Sequence, residues 1–384
     1  MRIGVFGGTF DPIHTAHVAA ADAARQQLRL DRVLFVVCGN PPDGHKTVAA
    51  YTQRLRMAEI ALVESPWAEV STAEGEERGP SYTADTVSML KKRYPNDELY
   101  LIIGEDKLAS FPHWYQAERI LSETHIAVLS RNRSQLSEEI CACSDNASVS
   151  GPIPHMTIRY DGGGVSSSGI RSALWCAAPT EHMLSPATER YIYEEGPYLP
   201  PEVTHMRDML KRSLTASRYS HVMGTVRQSV RLAATYAPAD TRLAKKARLA
   251  ALLHDCAKQL PIPALCRLSG DAEPATEQVL HAFAGASLAK TVYGVRDDDV
   301  LRAIRLHCTG DREMSLLDMI IYLADLTEPG RSFPGVDRYR EALPLGPERA
   351  MKTAVAGILS LLERQGSEVH PATLRAEAWL NKIP

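Results

Sequence analysis

Apolar residues change their spacing once along this chain, and the change divides it. From Met1 to about Gly196, continuous apolar runs alternate with stretches whose apolar positions recur three and four residues apart. The runs Ile3 to Phe6, Val33 to Cys38, Leu99 to Ile103, Ile126 to Leu129 and Met156 to Tyr160 predict strands buried on both faces. Between them Ala16 to Leu30, Gln53 to Val63 and Thr83 to Tyr94 carry the helical spacing. This alternation predicts an α/β doubly wound, mostly parallel sheet, whose ligands bind beyond the carboxyl ends of the strands.

After the Pro-rich break Gly196-Pro197-Tyr198-Leu199-Pro200-Pro201 the pattern is helical throughout. Ser220 to Tyr236, Leu243 to His254, Glu277 to Tyr293, Asp298 to His307, Leu316 to Leu326 and Ala350 to Arg364 predict an all-α bundle. The expected boundaries are residues 1–197 for the first domain and 202–384 for the second. A chain of 384 residues is long enough for each to bury its own core.

Charge and cysteine usage narrow the classes. A formal net charge of −3 lacks the basic excess of a non-specific nucleic-acid binder, so no nucleic-acid partner is expected. Seven cysteines, an odd number without a Cys-x-x-Cys pair, read as reduced thiols; Cys141 and Cys143 are the one close pair. Met1-Arg2 leads straight into a strand, and no run of apolar residues is long enough to span a bilayer. The expectation is a cytoplasmic protein without a membrane partner; whether it forms a homo-oligomer is not legible.

Candidate chemistry begins where the first strand ends. Gly7-Gly8 lets backbone N–H groups approach a ligand, and His14 and His17 stand three apart at a helix N-terminus, which favours anions. Taken singly these are an ordinary turn and two ordinary histidines. Together, the stretch Gly7-Gly8-Thr9-Phe10-Asp11-Pro12-Ile13-His14-Thr15-Ala16-His17 resembles the signature of the (H/T)xGH nucleotidyltransferases, most closely the bacterial nicotinate mononucleotide adenylyltransferases, with Ala16 where that family has glycine. Four further segments carry the resemblance. Pro41-Pro42-Asp43-Gly44-His45-Lys46 is similar to a Pro-Pro-His-Lys loop with two residues inserted. Arg78 to Thr86 is similar to the stretch beside the pyridine pocket; without the resemblance, Ser81 or Thr83 is simply a helix cap. Gly104-Glu105-Asp106 with Trp114 is similar to a Gly-x-Asp and Trp pair, and Ser166-Ser167-Ser168-Gly169-Ile170-Arg171 to Ser-Ser-Thr-x-Ile-Arg.

The resemblance implies a Rossmann-like fold and AMP transfer from ATP to nicotinate mononucleotide. It implies Gly7, Gly8, Thr9 and Phe10 at the phosphates, Lys46 at the triphosphate, and backbone amides of Tyr82 and Thr83 at the nicotinate carboxylate. Gly104 and Asp106 fall at a ribose and Trp114 on the pyridine. Ser167, Ser168 and Ile170 fall in a phosphate-binding loop. His14, His17 and Arg171, with Mg²⁺, would neutralise charge on the transferring group. The nearest rival, pantetheine phosphate adenylylation, shares the first motif, and the stretch Arg78 to Thr86 argues against it.

In the second half, histidines and aspartates cluster near predicted helix ends: His221, His254-Asp255, His281, His307 and Asp325. Any one of them is ordinarily a terminal polar residue. The set resembles the HD-domain metallophosphohydrolases, and the surrounding residues, including Tyr322 to Arg331, resemble the bacterial HD-type diadenosine tetraphosphatases. That resemblance implies one metal on His221, His254, Asp255 and Asp325, a second served by His281 and His307 with Asp255 bridging, and cleavage of diadenosine tetraphosphate into two ADP. All-nitrogen-and-oxygen ligation suits iron, manganese or zinc, with iron or manganese expected here. Lys258 and Arg331 are candidates for phosphate, and Cys308 is read as structural. Two alternatives stay open for this half: another nucleotide phosphoester as substrate, or a nucleotide-sensing module without turnover.

Overall fold

The computed structural model describes residues 1–42, 44, 47–75, 79–130, 152–270 and 277–383, and the side chain of Glu277 lies outside that description. Asp43, His45, Lys46, Arg78, Cys141 and Cys143 fall outside it. The chain forms two compact units. One comprises Met1–Ser172, Thr180–Ile192 and Gly196–Tyr198; the other comprises Ala173–Pro179, Tyr193–Glu195 and Leu199–Pro384.

In the first unit six parallel strands form one sheet: β1 (Arg2–Gly8), β2 (Arg32–Val37), β3 (Ala68–Ser71), β4 (Glu98–Gly104), β5 (His125–Ser130) and β6 (His155–Arg159), in the order β3-β2-β1-β4-β5-β6. The order reverses direction at β1 and β4, the switch point where doubly wound sheets open a crevice. Helices Thr15–Leu28, Tyr51–Leu62 and Thr83–Arg93 follow the runs predicted for them. β3 carries no signal in the sequence because its four residues, Ala68-Glu69-Val70-Ser71, form no apolar run, and only Ser71 is buried. At the start of the third helix Tyr82 is the N-cap without a side-chain bond, and the Ser81 hydroxyl instead accepts from the Asn40 amide at 3.1 Å.

The second unit is helical, and none of its described residues forms a strand. Four of its helices start where a side-chain oxygen meets the first free amides: Thr215 for Ala216–Tyr236, Asp240 for Thr241–Leu253, Asp297 for Asp298–Leu306 and Ser315 for Leu316–Thr327. The last of these helices is the core of the unit. Every residue from Leu317 through Ala324 is buried, against Ala216–Tyr236, Thr241–Leu253, Asp298–Leu306 and Pro347–Gln365. Helices Pro201–Ser213, Ile262–Ser269, Glu277–Thr291, Val336–Ala342 and Pro371–Leu380 complete the unit. Among the described residues no helix is long and apolar enough to cross a membrane.

Candidate active sites

In the first unit β1 ends in Gly7-Gly8, and the chain turns through Phe10, whose φ of 47° is left-handed, to reach His14. His14 is the N-cap of Thr15–Leu28, and its backbone N–H donates to His17 Nδ1 at 3.2 Å. That bond assigns the proton of a neutral His17 to Nε2, leaving it able to donate to an anion. The two imidazoles stack at 3.6 Å, and the Phe10 ring meets His17 edge-on at 5.1 Å.

Two cavities meet at this pair. One, of about 780 Å³, is lined by Gly7, Gly8, Thr9, Phe10, Tyr82, Thr83 and Trp114; the other, of about 460 Å³, by His14, Ala16 and Asp106. Phe6, His17 and Gly104 line both. A Cβ on Gly104 would lie 2.4 Å from Asp106 Oδ1, so glycine lets that carboxylate lie against the end of β4. Ser167, Ser168 and Arg171 line neither cavity. Ser167 Oγ donates to Pro12 O at 2.9 Å and Arg171 Nη1 to Asp11 O at 2.6 Å, so this segment holds the turn before His14. Ile170, expected among the ligand contacts, is wholly buried, and its amide donates to Ser166 O. Lys46 lies outside the described residues.

Sequence reasoning passes over three residues that shape this site. Arg54, 1% exposed, donates to the carbonyls of Thr9 and Cys38, each at 2.7 Å, pinning the loops that leave β1 and β2. The Asp11 carboxylate accepts from the Val48 and Ala49 amides at 2.7 and 3.0 Å and from the Tyr198 hydroxyl at 2.7 Å. Glu74 lines the larger cavity and accepts from Thr86 Oγ1 at 2.8 Å; burial pushes its carboxyl above the usual range. No local pattern marks these residues, because their partners are remote in sequence.

In the helical unit the expected ligands converge. His221 lies in the second turn of its helix and His281 in the second turn of Glu277–Thr291. His254 and His307 cap their helices, Asp255 follows, and Asp325 stands in the last turn of the central helix. His221 Nε2 is 2.9 Å from Asp325 Oδ1 and 3.4 Å from His254 Nε2, and His281 Nε2 is 3.2 Å from both Asp255 Oδ1 and His307 Nε2. Asp255 thus faces His221 at 3.8 Å through Oδ2 and His281 through Oδ1, as a bridging carboxylate would.

The donor chemistry fits divalent cations. His254 and His307 each direct Nδ1 to a carbonyl at 2.7 Å, of Ala251 and Ile304, so Nδ1 holds the proton and the Nε2 lone pair faces the cluster. Complete burial pushes His254 down to about 4, keeping it neutral and able to ligate. Burial alone would push the carboxyls of Asp255 and Asp325 up, but neighbouring histidines, and Arg331 for Asp325, overcome it and hold both ionised, titrating well below the usual range. Three groups of residues, His221-His254-Asp255, His254-His307-Asp325 and His281-His307-Cys308, each bring donor atoms within reach of one ion.

Charged side chains ring the cluster. Arg218 Nη1 donates to Asp255 Oδ2 at 2.8 Å, and Arg331 Nη2 to Asp325 Oδ1 at 2.5 Å. Lys258 Nζ lies 3.1 Å from His281 Nδ1. Glu328, 3% exposed and absent from the residues expected at this site, meets His221 Nδ1 at 3.1 Å. Its place is built into the backbone: the Gly330 amide donates to Oε2 at 2.6 Å, and a Cβ on Gly224 would lie 2.2 Å from that oxygen.

Residues 5–173 match the cytidylyltransferase-like family model and residues 218–330 the HD domain model. A probable nicotinate-nucleotide adenylyltransferase/Ap4A hydrolase of Mycoplasma pneumoniae is 30% identical over 330 residues, which is 85% of this chain and 88% of the relative. The nicotinate-nucleotide adenylyltransferase of Bacillus subtilis is 34% identical, over 51% of this chain and 98% of its own. A solved structure from Clostridium acetobutylicum, a predicted HD superfamily hydrolase involved in NAD metabolism, is 36% identical; the match covers 47% of this chain and 97% of that one, with a TM-score of 0.43. A parallel sheet carrying the glycine-histidine turn, a helical HD centre and a relative aligned along most of both chains lead to one conclusion: the chain belongs to the family of fused nicotinate-nucleotide adenylyltransferase/Ap4A hydrolases.

Proposed function

We propose that this chain is a bifunctional enzyme, with residues 1–197 as the adenylyltransferase domain and 202–384 as the HD phosphohydrolase domain. The first makes nicotinate adenine dinucleotide and pyrophosphate from ATP and nicotinate mononucleotide. The second cleaves diadenosine tetraphosphate into two ADP. The observation that carries the first activity is His17 at the junction of two cavities. Nicotinate mononucleotide occupies the larger, its ring against Trp114 and its carboxylate at the amides of Tyr82 and Thr83. ATP places its adenosine in the smaller, with Asp106 on ribose. A phosphate oxygen of the mononucleotide attacks the α-phosphorus of ATP as the bond to the β-phosphate oxygen breaks. No enzyme nucleophile takes part, so the work is alignment and charge neutralisation by His14, His17, backbone N–H groups and Arg171, which exchanges Asp11 O for a phosphate oxygen. Mg²⁺ bound with the triphosphate would add positive charge there.

For the helical domain, His221, His254, Asp255 and Asp325 would hold one divalent ion, and His281, His307 and Asp255 a second, iron or manganese. Such ions supply Lewis acidity toward phosphoryl oxygens and a nucleophilic hydroxide near neutral pH. Arg218, Lys258 and Arg331 orient the polyphosphate. The five described cysteines are free thiols, which supports a cytoplasmic setting.

The test is product analysis with the purified full-length protein. Nicotinate mononucleotide, ATP and Mg²⁺ should give the dinucleotide and pyrophosphate, and diadenosine tetraphosphate with iron or manganese should give ADP alone. ATP plus AMP would reject symmetric cleavage. Absence of turnover in metal-loaded protein would leave the helical domain as a sensing module or one with another substrate.

A further inference from the structure

We infer that Cys308 is a metal ligand, its thiolate completing the second metal position beside His281, His307 and Asp255. This rests on the HD metallophosphohydrolase reading and adds to it a sulfur donor. Cys308 Sγ lies 3.1 Å from His307 Nε2 and 3.4 Å from His281 Nε2. The two imidazole nitrogens are 3.2 Å apart, and Asp255 Oδ1 is 3.2 Å from His281 Nε2 and 3.8 Å from His307 Nε2. An ion bound at the usual Zn–N and Zn–S distances in a tetrahedron separates its nitrogen donors by about 3.3 Å and nitrogen from sulfur by about 3.5 Å. The separations here, 3.1 to 3.8 Å, already have that scale.

Local structure explains why consecutive residues face one point. Asp298–Leu306 ends at His307, and the chain turns at once through Gly310, whose φ is 64° and whose amide donates to Leu306 O at 2.8 Å. Cys308 lies inside that turn and shares the inward direction of His307. Simple burial accounts for it poorly. Cys256 shows what a buried structural thiol does in this unit: it points at the carbonyl of Gly285 at 3.5 Å. Cys308 instead faces two ring nitrogens, one of which, His307 Nε2, is a lone-pair acceptor because Nδ1 donates to Ile304 O. A single S–H serves one acceptor at a time, whereas a cation serves two lone pairs and a thiolate together. A soft sulfur donor shifts the preference of that position toward zinc or ferrous iron and away from magnesium.

Cobalt(II) tests this in the full-length, metal-stripped protein, with bound metal counted by equilibrium dialysis. Titration should produce sulfur-to-cobalt charge-transfer absorption in the near ultraviolet, lost in Cys308→Ser and kept in Cys266→Ser, which alters an exposed thiol on another helix. Cobalt should also protect Cys308 of the unmutated protein from iodoacetamide, read by peptide mass, so the answer does not depend on how Cys308→Ser folds. Cobalt bound without the sulfur band, a band surviving in Cys308→Ser, or alkylation unaffected by cobalt would overturn the inference and leave the metal centre standing. Failure of cobalt to bind at all would remove both.

Discussion

The carboxylate of Glu328 meets His221 Nδ1 at 3.1 Å while the opposite ring nitrogen of His221 faces Asp325 at 2.9 Å. Glu328 therefore fixes which nitrogen of His221 is turned to the proposed metal. Burial disfavours a charged His221, yet its bonds to Asp325 and Glu328 outweigh that and raise its pKa. Glu328→Ala should weaken metal binding about 10- to 100-fold, the usual effect of removing the partner that orients a ligand histidine. Competition against a fluorescent zinc chelator measures it. Gly224→Ala should act in the same direction by displacing the same carboxylate.

His17 lines both cavities of the first unit, and its substitution separates the two activities. His17→Ala should lower the transferase kcat by roughly 10²- to 10⁴-fold, the range for losing a key polar group at a charged transition state. Hydrolysis of diadenosine tetraphosphate by the same sample should be unchanged. Near-normal transferase turnover would remove His17 from its assigned role.

Arg54 is a buried cation whose partners are carbonyls, so truncation strands acceptors rather than breaking an ion pair. Each carbonyl left buried without a donor costs about 1–3 kcal/mol. Arg54→Ala should lower the melting temperature of the first unit in calorimetry and raise KM for both transferase substrates, because Thr9 and Gly39 lose their anchor. Arg54→Lys should recover only part of this, since one ammonium cannot span carbonyls on both loops.

Glu74 supplies a pH test. Burial raises its folded pKa above that of an ordinary glutamate, so over the window between them the native state retains a proton that the unfolded chain has released. Its contribution to stability is therefore present below the ordinary carboxyl range and is lost as pH rises through the raised value. Glu74→Gln should flatten that dependence in urea titrations across the window. KM for nicotinate mononucleotide should climb with pH in the unmutated protein, as a negative charge develops in the cavity, and stay level in the variant.

Strands β1, β2, β4 and β5 were legible because parallel strands buried on both faces leave unbroken apolar runs; β6 was expected to be a buried strand but is an edge strand with only Ile158 buried. The clustered histidines were legible because their order along the chain is distinctive. β3 was not, since its four residues, Ala68-Glu69-Val70-Ser71, are too few and too polar to show a run. The helix Pro201–Ser213 hides behind the Pro-rich break, its first residue being the last proline of that break. Arg54, Glu74, Glu328 and Arg218 could not be read either. Each works through partners brought near by folding, and a lone Arg or Glu in sequence is usually a solvated charge. Ile170 was carried with its motif, and its side chain serves the core.

The HD cluster draws its donors from separate helices: Ala216–Tyr236, the ends of Thr241–Leu253 and Asp298–Leu306, Glu277–Thr291 and the central Leu316–Thr327. An ion held there ties the middle of the domain to its periphery, and an unfolded chain has no equivalent to offer. Occupancy and unfolding temperature are then one linked quantity: a metal at 1,000 times its dissociation constant adds about 4.1 kcal/mol. Starvation for that metal would thin the population of folded protein as well as silence a reaction.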